Sequence, residues 1–344
     1  MEDERMKILK MIEQGIISAE EGAELLKATS DAQSHTQTGD SKKYGIRHFF
    51  DDAVEKIKNV DLDFKFGESV QFDTTMELEP GEIKDMDLWI ANGSLKLVPT
   101  DQENVQAKYR VKVYQVQSER EAKERFRDDG EFSLQSGLLR LASPSKQVKA
   151  DIELKVPNQS YEFIKAHLTN GHLESSSLKS HHLQIKTSNG KVELQDIRGE
   201  SCKVETGHGA VSIRKADLET CHVETVHGEI TLDGQIGKSE ASAISGLVTV
   251  NHVGDRAYQG YYKASTGQVQ VTVPSQKQIN GVLRSHLGKL NCRLEDHVVL
   301  KQKDEFMNKL VEFEAFAEFE NSFHLEAEAK TGSVTVNTGD KQFS

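Results

Sequence analysis

A glycine recurs through the second half of the chain at a nearly constant interval. Gly171, Gly190, Gly209, Gly228, Gly246, Gly267 and Gly288 are separated by 19, 19, 19, 18, 21 and 21 residues. Each opens a similar phrase, as in Gly190-Lys-Val-Glu-Leu, Gly209-Ala-Val-Ser-Ile and Gly228-Glu-Ile-Thr-Leu. Gly332-Ser-Val-Thr-Val repeats it near the C-terminus, and Gly93-Ser-Leu-Lys-Leu near the start. A period close to 20 residues marks a stacked repeat, in which each unit buries its apolar face only against its neighbours.

The offsets predict the geometry. Positions two and four after the glycine are mostly β-branched or Leu, with polar residues between them, so a half-buried strand follows each turn. Five residues before the glycine stand Ile185, Val204, Val223 and Leu283, the inward face of a preceding strand. A further apolar position comes seven to nine residues after it: Leu178, Ile197, Leu218, Ile236 and Val253. Each rung therefore has two strands joined at a tight turn, plus a third short side. The expected fold is mainly β: a single-stranded β-solenoid, β-helix-like, with rungs of about 19 residues, preceded by a small N-terminal α-helical hairpin.

Three sets of residues on this frame raise chemical questions. The residue before the glycine is Asn170, Asn189, His208, His227, Ser245 or Thr266. Asn and His tolerate positive φ, so turn geometry accounts for them. A shared metal ion on the stacked His208 and His227 is the sharper alternative. Cys202 and Cys221 lie one repeat apart with inward parity, and Cys292 is inward too. They read as small buried hydrophobes, with a stacked Cys202–Cys221 disulfide as the alternative. Tyr258, Tyr261 and Tyr262 fall in the longer rungs and mark a protruding loop, the first place to look for a docked ligand.

Residues 61–160 read as an irregular β region with one inserted helix at about 119–129, opened by the capping box Ser118/Glu121 and closed by Gly130. Residues 161–344 form the regular solenoid. In its last strands Val311, Phe313, Ala315, Phe323, Leu325, Ala327 and Ala329 alternate with glutamates. Those glutamates make a solvated, like-charged outer face that discourages edge pairing; calcium binding is the alternative.

Composition agrees with this frame. The hydrophobic share of the 344 residues is 36%, below the roughly 45–50% of ordinary globular chains, which argues against a dense α/β enzyme. A net charge of −12 supplies no basic stripe for nucleic acid. Phosphate-binding glycine loops, GxSxG and HExxH are absent, and no cofactor is expected.

The first 29 residues predict a helical hairpin. Met6, Ile8, Leu9, Met11 and Ile12 make one stripe, Gly15 caps it, and Ser18 with Glu21 opens a second helix carrying Leu25 and Leu26. Two such short helices need a partner surface, so Leu9, Ile12, Leu25 and Leu26 are candidates for docking or self-association. Residues 30–44 read as a flexible linker. Residues 45–60 form an amphipathic helix led by Phe49 and Phe50, which packs on the next domain or makes peripheral membrane contact. The N-terminus does not read as a secretory signal, and no stretch is apolar enough to span a bilayer. A cytoplasmic protein, with membrane association as the alternative, is expected.

The phrase from Ile8 to Gly15, followed by Ile17-Ser18-Ala19-Glu20-Glu21 and Leu25-Leu26, resembles the SHOCT-like N-terminal domain of the YvlB/LiaX family. The downstream repeats resemble that family's adhesin-type β-helix domain. Gly22 departs from the usual Ala and should weaken the second helix by up to about 1 kcal/mol. The resemblance implies a link to cell-envelope stress and, through LiaX relatives, to sensing membrane-active peptides; it implies no catalytic residues. The leading expectation is a non-enzymatic binding or scaffold protein. A surface adhesin and a polysaccharide-active β-helix enzyme are the alternatives.

Overall fold

Alternating side chains become layers of parallel strands in the computed structural model, which describes residues 68–339. The hairpin at 1–29 with Leu9, Ile12, Leu25 and Leu26, the linker at 30–44 and the helix at 45–60 with Phe49 and Phe50 lie outside those residues.

Equivalent positions of successive repeats pair directly. Val192 lies between Leu173 and Val211, and Val204 between Ile185 and Val223. The apolar residues two and four after the glycines from Gly190 to Gly267 are buried throughout. Inward parity slips between Ser180 and Leu183, both buried, which turns the chain into a third side as the spacing predicts. The described chain is mainly β and solenoid-like.

Two corners hold each rung. At the first, Gly190 has φ +148, and a Cβ there would stand 1.9 Å from the carbonyl oxygen of Gly171. Only glycine fits both demands. Below that corner, Thr187, Thr206 and Thr225 donate their hydroxyls to the carbonyls of Gly171, Gly190 and Gly209 at 3.3–3.4 Å. At the second corner, six residues after the glycine, Ser177, Asp196 and Lys215 adopt φ of 52–57° and Gly234 takes their place in the next rung. Leu178, Ile197, Leu218 and Ile236 are buried beyond it, but Val253 is 44% exposed and His252 is buried instead. The corner at Gly254 displaces the inward position by one residue.

Stacking order departs from chain order at both ends. Strand Asp85–Asn92 lies between Leu138–Ser143 and Ser160–Asn170, and Leu95–Thr100 lies between Val148–Pro157 and Leu173–Ser176. Residues 85–100, inside the segment expected to be irregular, are thus a regular rung, and residues 138–157 fold back to supply the layer beneath it. At the other end, Ser322–Ala329 inserts between Gln259–Thr266 and Gln278–Ser285. Gly332 therefore sits above Gly267, and Gly288 above Gly332. Beyond this layer an antiparallel hairpin, His297–Glu305 with Asn308–Ala315, closes the described stack.

Helix α1 (Glu119–Asp129) opens as the sequence predicts, with Ser118 Oγ accepting from the Glu121 amide at 3.3 Å, but Gly130 closes it in an extended conformation, φ −102, rather than a left-handed one. Phe126 packs edge-on against Phe72 and Tyr109, anchoring the helix to antiparallel strands Ser69–Leu78 and Val105–Tyr114.

Candidate functional site

In-register pairing lines up outward residues as well as inward ones, so charges meet across rungs. The densest such cluster lies midway along the long strands. His222 falls between Lys203 and Glu240. Its Nε2 is 3.1 Å from Glu224 and its Nδ1 3.2 Å from Glu240, whose other oxygen is 3.0 Å from Lys238. The hydrogen bond to Glu224 raises the pKa of His222 above its ordinary value, against the opposing effect of burial. Burial pulls Glu240 up, but the bond and charge of Lys238, with His222, bring it below the usual carboxylate range. Perturbed titratable groups gathered in one place are where a site is sought first.

The three tyrosines do not form a protruding loop. Tyr261 and Tyr262 lie within strand Gln259–Thr266, where alternation sends them to opposite faces. Tyr258 stays outside, its hydroxyl donating to Glu219 at 3.1 Å, beside the Arg256–Asp217 pair. Tyr261 lies edge-on to His324 with ring centroids 6.3 Å apart. Tyr258 and Tyr261 thus extend the charged patch, while Tyr262 belongs to the core.

Inside, Tyr262 Oη stands 2.6 Å from both Ser239 Oγ and His252 Nε2. Gly260 makes room for that hydroxyl, since a Cβ there would lie 2.5 Å from it. Burial pushes the His252 imidazole down to about 4. Its Nδ1 is the buried side-chain atom left without a hydrogen bond among the described residues. Sequence spacing missed this group because it places Val253, not His252, inside.

His208 and His227 stack with ring centroids 4.9 Å apart and planes 12° from parallel. They continue a ladder in which Asn189 donates to Asn170 and Asn170 to Asn92, both at 2.9 Å. Face-to-face imidazoles carry their lone pairs in parallel planes, so the stacking itself does not aim them at one ion. Among the described residues no group of three or more His, Cys, Asp or Glu is placed to hold a metal. Cys202 and Cys221 are buried and unbridged, and Cys292 is half-buried.

The C-terminal glutamates do not make a like-charged face. Glu312 is 3.5 Å from Lys301, Glu326 is 3.2 Å from both Arg284 and His324, and Glu328 is 3.6 Å from Lys263. Cross-strand neighbours neutralise them. Two open notches indent the described surface, one between Leu78–Glu82 and Leu134–Gly137 and one around Asn158, Lys179 and Arg198. The charged patch can bind and orient polar groups on a partner surface.

Comparison with known proteins places this architecture. A SHOCT-like domain profile matches residues 3–30, and a profile described as Toastrack DUF4097 matches residues 83–309. "Uncharacterized protein YvlB" of Bacillus subtilis (strain 168) is 34% identical over 360 aligned positions, covering 98% of this chain and 99% of that one. A solved structure from Parabacteroides merdae with a provisional adhesin label is 10% identical at a TM-score of 0.41, covering 77% of this chain and 95% of its own. Another from Parabacteroides distasonis, with a provisional lipid-binding label, is 10% identical at a TM-score of 0.38, covering 78% and 97%. Likeness that loose says nothing about function. On the profile match, and on a relative aligned from end to end, the chain belongs to the Toastrack DUF4097 family.

Proposed function

We propose that the chain is a non-enzymatic binding scaffold of the cell-envelope stress response, working on the cytoplasmic side. The β-solenoid presents a rigid face, and the SHOCT-like hairpin docks it or brings copies together. The observation that carries this reading is the outer face itself. Its charges are spaced by the rungs and held in cross-strand pairs from Lys186–Glu205 through His222–Glu240 to Arg284–Glu326. A surface set this regularly suits recognition of another macromolecule more than chemistry on a small molecule.

The hairpin's part is tested by light scattering on the full chain. Leu9→Asp with Ile12→Asp should lower the mass without altering the β-sheet circular dichroism. An unchanged mass removes the hairpin as an association element. Membrane contact through Phe49 and Phe50 is read separately, as loss of co-sedimentation with anionic vesicles in Phe49→Ser with Phe50→Ser. Turnover of any member of a panel of acidic glycans would return the polysaccharide-active enzyme to first place.

A further inference from the structure

The closing hairpin is unlike the rest of the described surface. Six of the ten exposed large apolar side chains among the described residues fall between Leu287 and Met307, with Val298 62%, Leu300 64% and Phe306 87% exposed. Strand His297–Glu305 pairs with Asn308–Ala315 on one side and with no described strand on the other. Edge strands of monomeric proteins are usually short, covered or guarded by charge; this one has nine residues. Its turn holds Phe306 and Met307, the latter at φ +64, where Asn or Gly would sit without strain.

The charges of the strand run in two blocks, Lys301 and Lys303, then Asp304 and Glu305. Laid antiparallel on a second copy about a two-fold axis at Lys303, which keeps opposed side chains on one face, the strand sets Lys301 against Glu305 in both directions. Leu300 and Val299 then come opposite Phe306 and Met307 of the other copy, and the two Lys301–Glu305 pairs flank a single Lys303–Lys303 contact on the axis. Such a contact is isologous, each patch meeting itself, and opposite charges across an antiparallel pair are stabilising. The pairing falls on Lys301–Glu305, beyond the bulge between Val299 and Lys301. Insertion of the tip into a bilayer fits less well, because Asp304 and Glu305 would be carried in beside Phe306.

We propose that His297–Glu305 is a homodimer edge whose occupant is the same strand of a second copy. The contact goes beyond the scaffold reading and is independent of the N-terminal hairpin. The test is sedimentation of the full chain carrying Leu9→Asp and Ile12→Asp, which removes hairpin association, over a concentration series. A reversible dimer is expected. Lys301→Glu and Glu305→Lys should each raise its dissociation constant about tenfold, and the double swap should restore it. The swap cannot mend the ion pair within one copy, Lys301–Glu312 at 3.5 Å, so recovery reports the second copy.

If a reversal lowers the melting temperature, salt reads the same contacts without substitution, and the dimer should weaken as salt rises. A monomer at every concentration overturns the proposal, as does a dimer that neither the reversals nor salt weaken. A monomer that binds phosphatidylglycerol vesicles, and loses them with Phe306→Ser, assigns the tip to lipid instead.

Discussion

Tyr262 Oη lies 2.6 Å from His252 Nε2 in the middle of the stack, in a place that keeps the imidazole uncharged. The group binds a proton near pH 6.5 when unfolded but only near pH 4 when folded. Stability must therefore fall as pH drops from about 6.5 towards 4, by at most roughly 3 kcal/mol. His181 and His222 act in the opposite sense. Hydrogen bonds to Glu200 and Glu224 raise their pKa values, so their contribution is present at low pH and lost as pH rises through the folded values. Urea unfolding at pH 7 and pH 5 should show a net loss at pH 5. His252→Gln should lower stability at pH 7 by about 1 kcal/mol and flatten the acid limb. An unchanged slope in that variant would assign the acid sensitivity elsewhere.

Gly190→Ala tests the corner ladder. The substitution adds a Cβ 1.9 Å from the Gly171 carbonyl oxygen at φ +148, and strain alone should cost about 3 kcal/mol. Gly137→Ala is the control, because φ is +82 there but the nearest atom is a Lys84 side-chain carbon at 3.5 Å. It should cost about 1 kcal/mol. Equal losses in urea unfolding would mean that the carbonyl contact relaxes freely.

Removal of residues 317–344 tests the stacking order. In a solenoid stacked in chain order, this deletion would take away the last layer only. Here it empties the layer between Gln259–Thr266 and Gln278–Ser285, leaving about 10 Å between strands that hydrogen-bond at about 4.8 Å. Residues 274–316 should become protease-sensitive and exchange their amide hydrogens rapidly, while 160–252 stay protected. Continued protection of 278–285 would show that the gap closes by direct pairing of the flanking strands.

What the sequence could reveal followed from the range over which its signals act. Alternation within a rung and the 19-residue period are local, so the buried positions from Val192 to Val271 are legible. The stacking order is not, because Gly332 and Gly288 open equivalent phrases and nothing beside either states which slot it fills. The second corner hides for a different reason: Ser177, Asp196 and Lys215 share a backbone conformation but no side-chain type. The threonine ladder was visible in Thr187-Ser-Asn-Gly, Thr206-Gly-His-Gly and Thr225-Val-His-Gly, yet its meaning needs the carbonyl one rung away. The charged patch arises the same way, since His222 and Glu240 are 18 residues apart and meet only through register.

Cysteine reactivity should divide along the structure. Cys202 and Cys221 face each other across neighbouring parallel strands, both 2% exposed and neither oxidised. The hydrogen bond with Cys202, then burial, holds the Cys221 thiol well above its ordinary range. Burial raises Cys292 as well, but that residue is only half-buried near the closing hairpin. Thiolates, not thiols, react with alkylating agents, and they must be reached to do so. Iodoacetamide at pH 8 followed by peptide mass spectrometry should label Cys292 first, with Cys202 and Cys221 labelled together and only at the urea concentration that unfolds the protein. Labelling of Cys202 in the folded state at the rate of Cys292 would show that this side of the stack opens locally.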